Sequence, residues 1–271
     1  MKGHGTSHGA VSVLNAIPCG IGSTIGVGLK TEVIFSDSDK TEVNLIDRPN
    51  MSPDLVKTCI RDTLKQIGQE SMNYHVEVKT QIPPSVGLKS SSSVCNATIS
   101  AVLDAFGEKM DPVELIRLGV NCARECKVTI TGSFDDACGC ALDGLIVTDN
   151  RTDEIISRDD IPKYDVIICV PDKSTVKSKI PKEKYAEFSD IYKEMLPRIR
   201  TDYLKILTEN GRHMSKMIGN VPDFINSALE AGALAAGISG TGPSMTILTE
   251  KGKGKEIAEK ISPNYILTET R

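Results

Sequence analysis

The chain has 271 residues and a net charge of −4, with 25% charged and 39% hydrophobic residues, the balance of a folded protein that can bury one large core or two ordinary ones. That charge gives no electrostatic argument for nucleic acid or an anionic membrane, and no apolar run approaches the ~20 residues that span a bilayer. The start of the chain mixes Gly, Ser, Thr and His into its apolar stretch and makes a poor signal peptide, so a cytoplasmic protein is expected, its eight cysteines acting as small buried hydrophobes.

In chain order, small and β-branched runs over residues 10–17, 24–29, 31–35 and 41–46 predict an antiparallel sheet. Ser52, Pro53 and Asp54 then form a helix start, and Leu55, Val56, Cys59, Ile60, Leu64 and Ile67 follow at helical spacing. Residues 74–81 alternate as a strand, which puts His75 among solvated side chains. Residues 94–106 form an apolar helix that should be buried, and Asp111 and Pro112 open another that runs towards Arg124. Strands are expected at 144–148 and 164–170, on either side of a charged, turn-rich stretch where a domain boundary near residue 150 is plausible. Helical patterns over 182–207, 223–231 and 254–261 alternate with strands at 233–238, 244–249 and 265–268, so the second half is α+β.

The most informative segment reads PPSVGLKSSSSVCNA and runs from Pro83 to Ala97. Pro83 and Pro84 stiffen the approach, Ser85 and Val86 lead to Gly87, where the backbone can turn closely, and Leu88 and Lys89 precede Ser90, Ser91, Ser92 and Ser93 at a helix start. Unpaired N–H groups and the positive dipole end make such a start an anion site, and serine hydroxyls can ligate the magnesium that accompanies a nucleotide. A plain serine-capped helix is the competing explanation.

Three other places can carry chemistry. The glycine density of residues 3–28 suggests close approach of the backbone to a ligand. His4 and His8 lack a third neighbour for a metal. In GSFDDACG, residues 132–139, Asp135 or Asp136 can accept a proton or merely cap a following helix. In GISGTGP, residues 237–243, Gly240, Thr241 and Gly242 can point N–H groups at a phosphate or form a tight hairpin turn. The chain lacks the GxxxxGK[ST] loop, the HRD and DFG signatures of protein kinases and the GxGxxG dinucleotide fingerprint.

The segment from Pro84 to Ser93 resembles the phosphate-loop motif of the GHMP small-molecule kinases, and residues 237–243 resemble that superfamily's C-terminal glycine motif. More narrowly, the chain is similar to the archaeal shikimate kinase family. That likeness rests on the Gly-rich start leading to Leu14-Asn-Ala-Ile, GLKSSS with Lys89, the run from Val128 through Phe134-Asp-Asp-Ala-Cys, Val147-Thr-Asp-Asn-Arg and Ser239-Gly-Thr-Gly-Pro. Ser93 stands where alanine is common, and His8 lies within the N-terminal motif.

The resemblance implies a GHMP kinase fold of class α+β, with a ribosomal-protein-like ATP-binding part at 1–150 and a ferredoxin-like part at 151–271. It implies ATP and magnesium as cofactors and shikimate as the small-molecule partner, phosphorylated on its 3-hydroxyl. By the same likeness, Asp135 is the base with Asp136 as alternate, residues 83–93 and 240–242 hold ATP, and Ser91 and Glu125 ligate magnesium. Asn15, Lys89, Arg124 and Lys127 are candidates for the shikimate carboxylate and hydroxyls, each equally suited to a surface charge or a cap. The alternatives are another GHMP kinase substrate, against which the motif Thr131-Gly-Ser-Phe-Asp-Asp argues, a decarboxylase on the same fold, and a non-catalytic binding protein, against which an intact acid at Asp135 beside intact phosphate loops argues.

Overall fold

The computed structural model describes residues 1–129, 133–170, 182–218 and 223–271. Ile130, Thr131 and Gly132, which belong to the motif segments singled out above, lie outside the described residues. The first part of the chain runs β1 (Lys2–Leu14), β2 (Ile21–Asp37), β3 (Glu42–Leu45), α1 (Asp54–Gln66), β4 (Tyr74–Thr80), α2 (Ser90–Phe106), α3 (Pro112–Glu125), α4 (Phe134–Ala141), β5 (Leu145–Asp149) and β6 (Glu154–Asp159). Its strands make a six-stranded sheet in the order β3-β4-β2-β5-β6, with β1 also paired to β2. Only the β3–β4 pair among them is parallel.

The second part runs β7 (Tyr164–Cys169), α5 (Lys182–Ala186), α6 (Ser189–Met195), α7 (Tyr203–Ile218), α8 (Asp223–Glu230), β8 (Ala235–Ile238), β9 (Met245–Glu250), α9 (Gly254–Ile261) and β10 (Ile266–Glu269). Here the sheet is antiparallel, in the order β10-β7-β9-β8. The change from one sheet to the other falls between Asp159 and Tyr164. A single apolar cluster joins the two parts, combining Val11, Leu14 and Ile25 with Ile167, Leu207 and Ile247, so burial couples the halves that carry opposite walls of the site.

The early glycines serve packing. A Cβ on Gly3 would stand 2.2 Å from the Ala101 carbonyl oxygen and one on Gly5 1.9 Å from that of Ala97, so α2 lies directly on β1 because these positions carry no side chain. The close approach read from glycine density is therefore that of a helix at these two positions. The runs 24–29 and 31–35 are one strand, β2, and the turn-rich stretch before residue 163 contains β6, an edge strand whose alternating exposure disguises it. The helical pattern over 182–207 breaks around Pro197, which cannot donate a backbone N–H. Asp111 caps α3 as its position predicts, its Oδ1 accepting from the N–H groups of Val113 at 2.9 Å and Glu114 at 3.3 Å. All eight cysteines are free. Among the described residues, no helix is long and apolar enough to cross a membrane.

Candidate active site

Five segments meet around a cavity of about 260 Å³: the end of β1, the loop into α2, the end of α3 with the residues after it, the first turn of α4 and the turn between β8 and β9. The loop into α2 and the β8–β9 turn are tied together. Gly87 has φ +91°, and a Cβ there would stand 2.1 Å from the Ser239 carbonyl oxygen, so only glycine fits. Ser239 Oγ donates to the Gly87 carbonyl at 2.8 Å and accepts from the Ser12 N–H at 3.1 Å. Ser12 Oγ in turn accepts from the Gly240 N–H at 3.1 Å and from Lys89 Nζ at 2.8 Å. Ser244 N–H donates to the Val86 carbonyl at 3.1 Å, which completes the tie.

At the head of α2 the N-cap position is Lys89, in the left-handed region at φ 65°, and no side chain caps the helix. The serines therefore leave the first-turn N–H groups to face the cavity, where Ser90, Ser91 and Ser92 line the wall. Beyond Ser90 and Ser91 a second cavity of about 250 Å³ opens, walled by Leu45, Met51, Leu55, Val78 and Val94. Arg48 crosses its rim, donating from Nη1 to Ser90 Oγ at 2.9 Å and from Nη2 to the Ile82 carbonyl.

The two acids of α4 are held differently. Asp136 pairs with Lys89, 2.7 Å between Oδ1 and Nζ, and the lysine side chain is only 5% exposed. Burial disfavours the Lys89 charge, but Asp136 and then Asp135 outweigh it and hold its pKa above the ordinary lysine value. Asp135 is buried, and its carboxylate accepts from Asn150 Nδ2 at 2.6 Å. Burial first and the neighbouring Asp136 second raise its pKa to about 7, against the lowering pull of Lys89 and Asn150. Its side chain fits because β2 has Gly22 opposite, where a Cβ would stand 2.4 Å from Asp135 Oδ2. Thr24 Oγ1 donates to the Asp135 carbonyl at 2.8 Å and fixes the helix start on the sheet.

Asn15, Lys89, Asp135, Asp136, Ser91 and Gly240–Gly242 thus come together, with Ser85, Gly87, Leu88, Ser90 and Ser92. The Asn15 amide is already engaged, its Nδ2 donating to the Gly240 carbonyl at 3.0 Å and its Oδ1 accepting from the Ile17 N–H at 2.9 Å. Other candidates fall outside the cavity lining. Arg124 is turned to Asp153, 2.6 Å away, and Lys127 is exposed at the left-handed turn that ends α3. Glu125 is held on the surface by both oxygens against Arg61 Nη2, at 2.8 and 2.7 Å, and so is not at hand for a metal in the cavity. Ser93 is fully buried and donates to Thr31 Oγ1 at 2.8 Å, towards the sheet. Pro83, Pro84 and Val86 shape the loop without lining the cavity. His8 lies in a separate groove with Lys30, Lys163 and Arg271. Ser12, Gly22 and Asn150 were not singled out as site residues, because their roles exist only through contacts with residues far along the chain.

Comparison with known proteins matches this architecture. The model of the GHMP kinases N-terminal domain fits residues 54–144, and that of the GHMP kinases C-terminal domain fits residues 201–266. A shikimate kinase of Methanothrix thermoacetophila is 34% identical over 264 residues, covering 96% of this chain and 89% of the relative. The shikimate kinase of Pyrococcus furiosus is 30% identical over 274 residues and covers 100% of both chains. Among solved structures, the mevalonate kinase of Methanococcus jannaschii superposes with a TM-score of 0.74 at 17% identity, covering 100% of this chain and 98% of the other. The galactokinase of Lactococcus lactis complexed with galactose also gives 0.74, at 14% identity, covering 99% of this chain and 93% of the other, so these two share the fold. With both domain models matched in order and relatives aligned over nearly its whole length, the chain belongs to the GHMP kinases, alongside the archaeal proteins named shikimate kinase.

Proposed function

We propose that this kinase transfers the γ-phosphoryl group of ATP to the 3-hydroxyl of shikimate, giving shikimate 3-phosphate and ADP on the way to chorismate and the aromatic amino acids. The observation that carries the substrate is the near-full-length similarity to archaeal relatives named shikimate kinase, at 34% and 30% identity. The first part of the chain supplies most of the nucleotide site, and the second closes it through the glycine turn.

ATP lies along the head of α2. Its base enters the apolar cavity beyond Ser90 and Ser91, and its phosphates run over the first-turn N–H groups and the Gly240–Gly242 turn towards Lys89. The donor set suits a magnesium ion carried in by phosphates: Ser91 is exposed at the helix head, and no group of three His, Cys, Asp or Glu among the described residues could hold a metal alone. When bound through Ser91, that ion would neutralise charge on the phosphate oxygens.

Asp135 orients the acceptor hydroxyl and takes its proton as the new oxygen–phosphorus bond forms. The bond from the γ-phosphorus to the bridging oxygen breaks, and its electron pair leaves with ADP. A carboxyl with a pKa of about 7 is well matched to this work at neutral pH, and Lys89 meets the negative charge that spreads over the transferring group.

The test is ADP release, coupled to a reporter, with shikimate, homoserine and mevalonate offered separately. Turnover should depend on shikimate, and its absence would overturn the substrate assignment. Ser91→Ala should raise the magnesium requirement; an unchanged metal titration would give that role to another serine.

A further inference from the structure

Asn150 follows β5 directly and is 5% exposed. Both of its side-chain polar atoms are engaged. Oδ1 accepts from the Asp135 N–H at 3.0 Å and from Thr148 Oγ1 at 2.8 Å, and Nδ2 donates to Asp135 Oδ1 at 2.6 Å. Because a backbone N–H can only donate, the amide cannot flip: the oxygen must face the Asp135 backbone and the nitrogen must face its carboxylate. The Asn150 N–H itself donates to the Gly20 carbonyl at 2.9 Å, which anchors the residue to the start of β2. On the other side of the carboxylate Gly22 leaves room for Oδ2 and for nothing larger.

We propose that Asn150 is a positioning residue for phosphoryl transfer, gripping both the amide and one carboxylate oxygen of Asp135 so that its carboxylate form is favoured and fixed in one orientation. This rests on Asp135 being the proton acceptor. A carboxamide makes the two bonds through two separate atoms, its oxygen on the backbone N–H and its nitrogen on the carboxylate, a span that a single hydroxyl oxygen does not cover. The other groups bearing on the ionisation of Asp135 are Asp136 on its own helix, which opposes its charge, and Lys89 at the head of α2, which supports it. Cys138 on α4 has its thiol pushed well above the ordinary range, first by burial and then by Asp135, so it stays neutral there. Gly22 and Thr24 of β2 carry no charge. Asn150 and the Asp136 backbone N–H are the neutral groups that favour the carboxylate, the side chain ahead of the backbone, and loss of Asn150 moves ionisation of Asp135 to higher pH.

The experiment is the pH profile of kcat for the wild type, Asn150→Ala, Asp135→Asn and the double variant, with KM for ATP measured alongside. Asn150→Ala should displace the acid limb upward by about one pH unit or more, lowering kcat below that limb by about tenfold while KM for ATP holds. In the Asp135→Asn background the same change should cost nothing further. A superimposable limb, or an equal loss in both backgrounds, would assign Asn150 a structural role and overturn the proposal. Near-normal turnover of Asp135→Asn would instead remove the base itself. Nitrogen-15 spectra of the wild-type protein give a reading that survives a misfolded variant: the Asn150 side-chain amide resonance should titrate with the acid limb, and a flat resonance across that limb overturns the grip.

Discussion

The raised pKa of Asp135 makes a prediction about stability as well as rate. A carboxyl whose folded pKa lies above its unfolded value costs the fold nothing below the unfolded value, and the cost grows until pH passes the folded value. Asp135 goes from the ordinary 3.8 to about 7, so its cost accumulates across that window. At pH 5 it amounts to about 2 kcal/mol and at pH 8 to about 4 kcal/mol, from the factor of ten in the equilibrium that each pH unit represents. Asp135→Asn removes the charge and keeps the shape, so the variant should gain on the wild type by about 2–3 kcal/mol between pH 5 and pH 8. For a chain of this size that corresponds to several degrees in thermal midpoint, at about 2–4 °C per kcal/mol. The same variant should turn over far more slowly while still binding ATP. The assay is thermal unfolding of both proteins without ligand at pH 5 and pH 8, read by calorimetry. A gap that stays flat with pH, or closes at pH 8, would refute the buried, charge-strained Asp135 on which the mechanism depends.

Other expectations follow from single contacts. Gly87→Ala places a Cβ 2.1 Å from the Ser239 carbonyl oxygen at a left-handed position, so the phosphate loop and the glycine turn must part. Calorimetric titration with a non-hydrolysable ATP analogue should show affinity weakened by at least about tenfold, and unchanged affinity would sever this tie from nucleotide binding. Lys89→Met removes the cation that Asp136 contacts at 2.7 Å and should lower kcat by about a hundredfold while shifting the acid limb upward. A normal kcat would exclude Lys89 from charge stabilisation. Glu125→Gln should leave the magnesium dependence of turnover untouched and cost less than about 1 kcal/mol of stability, because Arg61 holds this glutamate at the surface. A large rise in the magnesium half-saturation would return Glu125 to the metal.

How far the site can be read from residues alone depends on how local each residue's task is. The serine run at a helix start, the left-handed glycines and the paired aspartates act through their own backbone neighbourhood, and local chemistry made them visible. The β6 edge strand escaped because its exposed alternation of Glu, Ile, Ser and Arg looks like a charged loop until a neighbouring strand pairs with it. Arg124, Glu125 and Lys127 have suitable charges, but α3 and the left-handed turn after it present them to Asp153, Arg61 and solvent. A side chain's charge is written in the sequence, whereas the direction in which its helix presents it is set by packing.

The family, the α+β class and the candidate phosphate segments are legible in the chain, since they rest on motifs with fixed spacing and on periodic burial of apolar residues. Which of the two aspartates is buried with a raised pKa is set by folding. Asp135 and Asp136 are adjacent and chemically identical in sequence; burial against Gly22 and Asn150 raises one, and contact with Lys89 pairs the other. Desolvation and charge–charge contact depend on distances between segments brought together by folding, and a linear chain does not record them.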